Sequence, residues 1–204
     1  MTQNENRPLK IAVLLGSTRP GRRGADIARW VHAAAEQRSA ATYEVVDLLD
    51  HPLPFLDEEL PPIVGAYARP HTRAWAETIA QYDAFVVVTP EYNHSVPAVL
   101  KNAIDFLYAE WNDKVAGVVA YGAESGTRAV EHLRQVFGEL QVAVVRQHVA
   151  ISLYDDFEDF ERFAPRPQLA DYLGTLFDQV ESWGGALRDV RASRARESAD
   201  DAVA

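Results

Sequence analysis

The sequence predicts a three-layer α/β sandwich, a five-stranded parallel sheet with helices on both faces. Three observations carry this. Five short apolar runs alternate with segments of helical period. Lys10 to Leu15 and Ala84 to Thr89 in particular are nearly continuous in apolar character, as strands buried on both faces are. No internal repeat and no linker divides the 204 residues into two cores, and that length suits one domain.

Lys10 to Leu15 (KIAVLL) is the first strand, closed by Gly16. From Ala25 to Gln37, residues Ile27, Ala28, Val31 and Ala35 recur at helical spacing. Tyr43 to Leu48 is the second strand. His51 to Gly65 is a loop, because Pro52, Pro54, Pro61 and Pro62 forbid regular structure there. Residues 69 to 81 form the second helix. Ala84 to Thr89 is the most apolar run, so it takes the central place in the sheet. Pro97 to Tyr108 is a helix, with Pro97 in the first turn, where a missing N–H costs nothing. Its buried stripe is Val99, Leu100, Ala103, Ile104 and Leu107. Val115 to Ala120 is the fourth strand. Thr127 to Phe137 is the fourth helix, with Ala129, Val130, Leu133, Val136 and Phe137 turned inward. Val142 to Ile151 supplies the fifth strand and Gln168 to Arg188 the last helix. The domain thus occupies 1–191, and the polar segment 192–204 reads as a disordered tail.

Bulk properties exclude several functions. The 25% of charged residues is ordinary for a soluble protein, and no apolar stretch reaches the roughly 18 residues that cross a bilayer. The first ten residues are polar, with no secretory signal, so a cytoplasmic location is expected, without a membrane partner. A net charge of −10 repels nucleic-acid phosphate, and any phosphate ligand must be held by local groups against that field. The absence of cysteine excludes disulfides, thiolate nucleophiles, iron–sulfur clusters and Cys-based zinc sites. Redox chemistry in this chain would therefore place its electrons on a bound cofactor. None of the six histidines falls in a metal-binding spacing. His94 is able to border a ring, and the other five read as surface or loop residues. Asp155, Asp156, Glu158, Asp159 and Glu161 lack the spacing and glycine of a calcium loop and read as a solvated acidic surface. Ser17 has no His/Asp partner pattern, against hydrolase chemistry. Trp30, Trp75, Trp111 and Trp183 are expected as core or interface anchors.

Doubly wound sheets bind ligands outside the carboxyl ends of their strands. Three unusual loops lie there. The first is Gly16-Ser17-Thr18-Arg19-Pro20-Gly21-Arg22-Arg23-Gly24. Its glycines let the backbone turn and approach a ligand. Its hydroxyls, its three arginines and the amides of the following helix make an anion site. It lacks the Gly-x-Gly-x-x-Gly fingerprint, and Arg22-Arg23 stands where a P-loop needs Lys-Ser/Thr. The second is Pro90-Glu91-Tyr92-Asn93-His94-Ser95-Val96-Pro97, a rigid turn whose flat side chains and amides suit a planar ring. The third is Tyr121-Gly122-Ala123-Glu124-Ser125-Gly126-Thr127, where two glycines again permit close backbone approach.

These three blocks, in this order, resemble the NAD(P)H-dependent FMN reductase family of flavodoxin-like flavoproteins. The Pro-Glu-Tyr-Asn motif, Pro90 to Asn93, within the block from Thr89 to Asp105 is the most specific, and the resemblance covers roughly residues 9 to 150. It implies FMN as cofactor and NADPH or NADH as co-substrate. It implies hydride transfer to flavin N5 and onward delivery to a small-molecule electron acceptor such as free flavin or a quinone. Ser17, Thr18, Arg19 and the amides near Gly24 would hold the FMN phosphate. Pro90, Glu91, Tyr92 and Asn93 would lie along the isoalloxazine, mainly through backbone atoms, and Tyr121, Gly122 and Ala123 would line its other side. Family members often carry serine or asparagine where Arg22 and Arg23 stand. The family also implies a homodimer or homotetramer, with the helix after Pro97 at or near the interface. No catalytic side chain and no metal are expected, because the flavin carries the chemistry. Two other readings of the same fold are an electron-carrier flavodoxin without NAD(P)H activity and a non-catalytic phosphate-binding regulator.

Overall fold

In the computed structural model, residues 7–201 are described. The elements follow the chain as β1 (Leu9–Leu15), α1 (Gly24–Ala35), β2 (Ala41–Asp47), α2 (Pro70–Ala80), β3 (Ala84–Pro90), α3 (Ala98–Asp105), β4 (Lys114–Gly122), α4 (Thr127–Glu139), β5 (Val142–Ser152), β6 (Phe157–Glu158), β7 (Arg162–Phe163) and α5 (Gln168–Asp201). The five long strands form one parallel sheet in the order β2-β1-β3-β4-β5. This is the flavodoxin-like arrangement. The most apolar run is central, as expected, and every residue of β3 is buried. The short β6–β7 antiparallel hairpin was not anticipated.

Alternation along the strands divides the core into two layers. Ile11, Val13, Leu15, Val86 and Val88 face one way, against Ile27 and Val31 of α1 and Leu173, Leu176, Phe177 and Val180 of α5. Ala12, Leu14, Phe85, Val87 and Val118 face the other way, against α2, α3 and α4. Trp75 and Trp111 anchor this second layer; their indole N–H groups donate to Ala103 O at 2.8 Å and Ile104 O at 3.1 Å. Trp30 is half-buried, whereas Trp183 is exposed. Val99 and Val136, expected in the buried stripes of α3 and α4, are only half-buried.

α5 departs most from the sequence-based expectation. It runs on to Asp201 through residues expected to be a disordered tail, and of that segment residues 202–204 lie outside the described ones. The physical reason lies at the amino-terminal edge of the sheet. Asp83, just before β3, is buried and accepts from Arg191 Nη2 at 2.7 Å, from Arg7 Nη1 at 2.7 Å and from Lys10 N at 3.0 Å. Arg191 also donates to Asp113 O at 2.6 Å, and Arg194 pairs with the Asp113 carboxylate. The turn of α5 from Arg191 to Arg194 is thereby fastened to the loops entering β3 and β4.

Burial alone would raise the Asp83 carboxyl, but the bonds from Arg7 and Lys10 N and the charges of Arg7 and Arg191 outweigh it and hold the group below its ordinary value. Asp83→Ala leaves two guanidinium groups facing each other and should cost about 2–3 kcal/mol in urea unfolding at neutral pH. A carboxyl with a depressed folded pKa contributes fully above its unfolded value near 3.9, and the contribution vanishes as pH falls through the folded value. The gap between wild type and variant should therefore close in acid, measured as unfolding midpoints between about pH 7 and pH 2.

Candidate functional site

The loops leaving β1, β3 and β4 meet over one cavity of about 420 Å³. That lies within the roughly 300–1,000 Å³ of small-molecule and cofactor sites.

The β1 loop begins where Gly16 N donates to Val88 O at 2.9 Å, which seats it on the end of β3. Gly21 turns the chain at φ 66°. Arg22 then forks onto the Asp47 carboxylate at the end of β2, with Nη1 2.8 Å from Oδ1, and also donates to Ser17 O at 2.5 Å. Its charge is neutralised inside the loop, so Arg22 is a brace and not an open anion ligand. Arg19 is exposed and Arg23 half-buried; neither makes an ion pair among the described residues, and both line the cavity. Arg23 also stands at the N-cap of α1 without a side-chain cap, so the helix's partial positive charge adds to both guanidinium groups.

The β3 loop starts from the last residue pair of the β3–β4 ladder, Pro90 opposite Tyr121, and Glu91 N donates to Tyr121 O at 2.9 Å. Tyr92 and Ser95 exchange two backbone bonds of 2.8 and 3.0 Å around Asn93 and His94, both at positive φ, a two-residue turn of the hairpin kind. Glu91's carboxylate is nearly buried and accepts from Arg128 N at 3.0 Å and Arg128 Nε at 2.5 Å. It ties this loop to the start of α4. In the β4 loop, Gly126 has φ 74°, and a Cβ there would lie 2.6 Å from Ala120 Cβ and 2.7 Å from Tyr121 N. No other residue fits that turn.

Three hydroxyls connect the loops beneath the cavity. Ser17, 1% exposed, places Oγ 3.2 Å from Tyr92 Oη. The Tyr121 phenol packs against the Gly24 backbone, where a Cβ would come within 2.8 Å of its oxygen. Burial foremost, and Tyr92 next, push the Tyr121 phenol above its ordinary value, so it stays protonated at neutral pH.

Among the residues expected to bind cofactor, Arg19, Pro90, Glu91, Tyr92, Tyr121, Gly122 and Ala123 line the cavity. Ser17 and Gly24 lie one layer below it. Thr18 is half-buried beside Ser17, and Asn93 and His94 sit exposed at the tip of their turn; none of these three lines the cavity.

A fourth segment, after β5, contributes Leu153 and Phe160 and was missed from sequence. Leu153 N donates to Gly122 O at 3.1 Å. The acidic stretch around it is not simply a solvated surface. Asp156 is 0% exposed and accepts from Ser152 N at 2.8 Å and from Arg166 N, Nε and Nη2 at 3.1, 2.8 and 3.0 Å. The overlooked signal is an aromatic residue at every third position, Tyr154, Phe157, Phe160 and Phe163. Among the described residues no group of three or more His, Cys, Asp or Glu is placed to hold a metal ion.

Two free guanidinium groups and a helix amino terminus at one end, with flat side chains and close-lying backbone at the other, fit a planar ring carrying a phosphate. On a doubly wound sheet such a cavity suits a flavin-type cofactor. The NADPH-dependent FMN reductase family model matches residues 9–156, and the chain belongs to that family. It is 43% identical over 169 residues to a NAD(P)H-dependent FMN reductase of Schizosaccharomyces pombe, covering 82% of this chain and 84% of the relative. It is 35% identical over 147 residues to a quinone reductase of Escherichia coli, covering 68% and 74%. Among solved structures, the flavoenzyme NAD(P)H:(acceptor) oxidoreductase FerB from Paracoccus denitrificans shares the fold, with a TM-score of 0.63, 21% identity and coverage of 85% of this chain and 98% of that one. The chain is thus an oxidoreductase with FMN as cofactor and NAD(P)H as co-substrate.

Gly126→Ala should destabilise the fold by about 2–3 kcal/mol, because a left-handed turn and a backbone clash coincide there. FMN held in this cavity would be loosened as well, since the β4 loop must shift. Urea unfolding and quenching of FMN fluorescence measure the two effects.

Proposed function

We propose that this NAD(P)H-dependent flavin reductase holds FMN in the cavity over β1, β3 and β4 and delivers its electrons to small quinone-like acceptors. The observation that carries this reading is the placement of unpaired Arg19 and Arg23 beside α1, in one cavity with the Pro90–Tyr92 and Tyr121–Ala123 walls. When bound, FMN supplies a hydride-accepting N5, so the chain needs no acid, base or nucleophile of its own. Its residues bind and orient. Arg19, Arg23 and the amides near Gly24 hold the phosphate. Backbone from Pro90 to Asn93 and from Tyr121 to Ala123 flanks the ring. Ser17, Tyr92 and Tyr121 keep the loops in register, and Glu91, clamped by Arg128, fixes the distance between the second loop and α4. Relatives named quinone reductase in Escherichia coli and 2-hydroxy-1,4-benzoquinone reductase in Burkholderia support the acceptor class. Relatives named as reductases also favour this reading over an electron carrier or a regulator.

We also propose a cytoplasmic homodimer or homotetramer, assembled through the surface around α3. Two grooves adjoin that helix. One is lined by Leu53, Pro54, Phe55, Ala98, Val99 and Asn102, the other by residues including Val96, Lys101 and Val136. Phe55 is 85% exposed, and Leu60, Ile63 and Val64 in the same proline-rich loop are exposed as well. This much uncovered apolar surface suits burial against a second copy.

Purified protein should quench FMN fluorescence on binding, and NADPH should bleach the bound flavin without oxygen; an electron carrier would stay yellow. Arg19→Ala should weaken FMN binding about tenfold, the loss of one charge-assisted bond, without changing the unfolding midpoint. Phe55→Asp combined with Val99→Asp should lower the assembly mass in light scattering to that of one chain.

A further inference from the structure

The segment after β5 is built to hold one aromatic ring at the mouth of the cavity. Its four aromatics, three residues apart, fall into two pairs. Phe157 and Phe163 turn inward, with ring centroids 5.2 Å apart, and Phe163 meets Trp30 of α1 edge-on at 5.6 Å. Tyr154 and Phe160 turn outward, 64% and 56% exposed, and meet edge-on at 5.6 Å. The turn joining β6 to β7 is closed by Glu161 N donating to Glu158 O at 2.9 Å, with Asp159 at φ 50° and Phe160 at φ 58°. Such a turn is least strained with Asn and Gly, and a phenylalanine at positive φ is uncommon. Phe160 therefore combines backbone strain with exposed apolar surface, a pairing that marks functional positions. The base of the hairpin does not yield, because buried Asp156 clamps it through Arg166 and Ser152, and Ala164 N donates to Asp156 O at 2.9 Å. Phe160 nonetheless lines the cavity.

We propose that Phe160, steadied by Tyr154, is a specificity-determining residue that forms the aromatic wall for the planar electron acceptor. This rests on the proposed flavin-reductase reading. The loops after β3 and β4 already supply the walls of the flavin ring, whereas Phe160 comes from beyond β5 and keeps half its surface in water, where the last molecule to enter would cover it. A flat aromatic quinone gains both apolar burial and ring stacking there; a compact inorganic acceptor gains neither. The net exchange consumes NAD(P)H, quinone and one proton and yields NAD(P)+ and hydroquinone, two electrons passing in all.

The test uses the FMN-loaded protein at saturating NADPH, with menadione and ferricyanide as the acceptors. Phe160→Ala and Phe160→Leu should each raise KM for menadione about tenfold, with kcat changed far less. The ratio of kcat/KM for menadione to that for ferricyanide should fall by a similar factor, and Phe160→Tyr should restore it. FMN affinity, titrated by fluorescence, should shift by less than about twofold. An unaltered menadione KM in Phe160→Ala overturns the proposal. So does an equal loss with both acceptors, or a loss of FMN affinity as large as the KM change, which would make the ring a cofactor contact. Wild-type protein that neither binds FMN nor oxidises NADPH would remove the flavin reading itself, an outcome distinct from an active wild type with an indifferent Phe160.

Discussion

The register in which β3 meets β4 governs everything at the rim of the sheet. Pro90 faces Tyr121 in the last pair of that ladder, and the next backbone bond, from Glu91 N to Tyr121 O, already belongs to the loops. A slip of one residue would exchange the faces of β3, moving Phe85 and Val87 into the layer of Val86 and Val88. With both faces filled by apolar side chains, no polar chemistry fits inside, and every functional group is displaced to the loops that prolong the strands.

Ion pairs brace both edges of the sheet. At the amino-terminal edge, charge is used for closure: Asp83 gathers Arg7 and Arg191, and Lys114 is buried with Nζ 2.9 Å from Ile79 O and 5.5 Å from the Phe85 ring. Burial above all, with Arg191 adding to it, brings that amine down to about 7. At the carboxyl edge, the Arg22–Asp47 and Glu91–Arg128 pairs and the Ser17–Tyr92 hydroxyl contact brace the loops, while Arg19 and Arg23, which line the cavity, make no ion pair among the described residues. An anion is thus met by cations that no carboxylate has already satisfied, despite the acidic surface of the chain.

The sheet was legible because a strand buried on both faces must be apolar throughout, and Ala84 to Pro90 states this within seven residues. The three loops that line the cavity were legible for a local reason too: glycine, proline and arginine at strand ends. What escaped depends on partners distant in sequence. Arg22 reads as an available charge until Asp47, twenty-five residues on, takes it. α5 reads as ending near Arg188 because the loop groups that hold it at Arg191 precede β3 and β4. Asp156 looks like one acid among many, and only the return of Arg166 across the hairpin buries it. Val99 and Val136 have helical spacing suited to a core, yet border grooves, since periodicity marks an apolar face without saying what covers it.

The length and direction of α5 also bear on how the molecule can be attached to something else. The helix starts just after Arg166, which clamps the hairpin carrying Phe160, reaches the opposite edge of the sheet at Arg191 and continues beyond it. Its 34 residues span about 50 Å. A linker to an electrode, a bead or a fused partner joined beyond Asp201 would therefore leave the mouth facing away from its support, open to diffusing reactants.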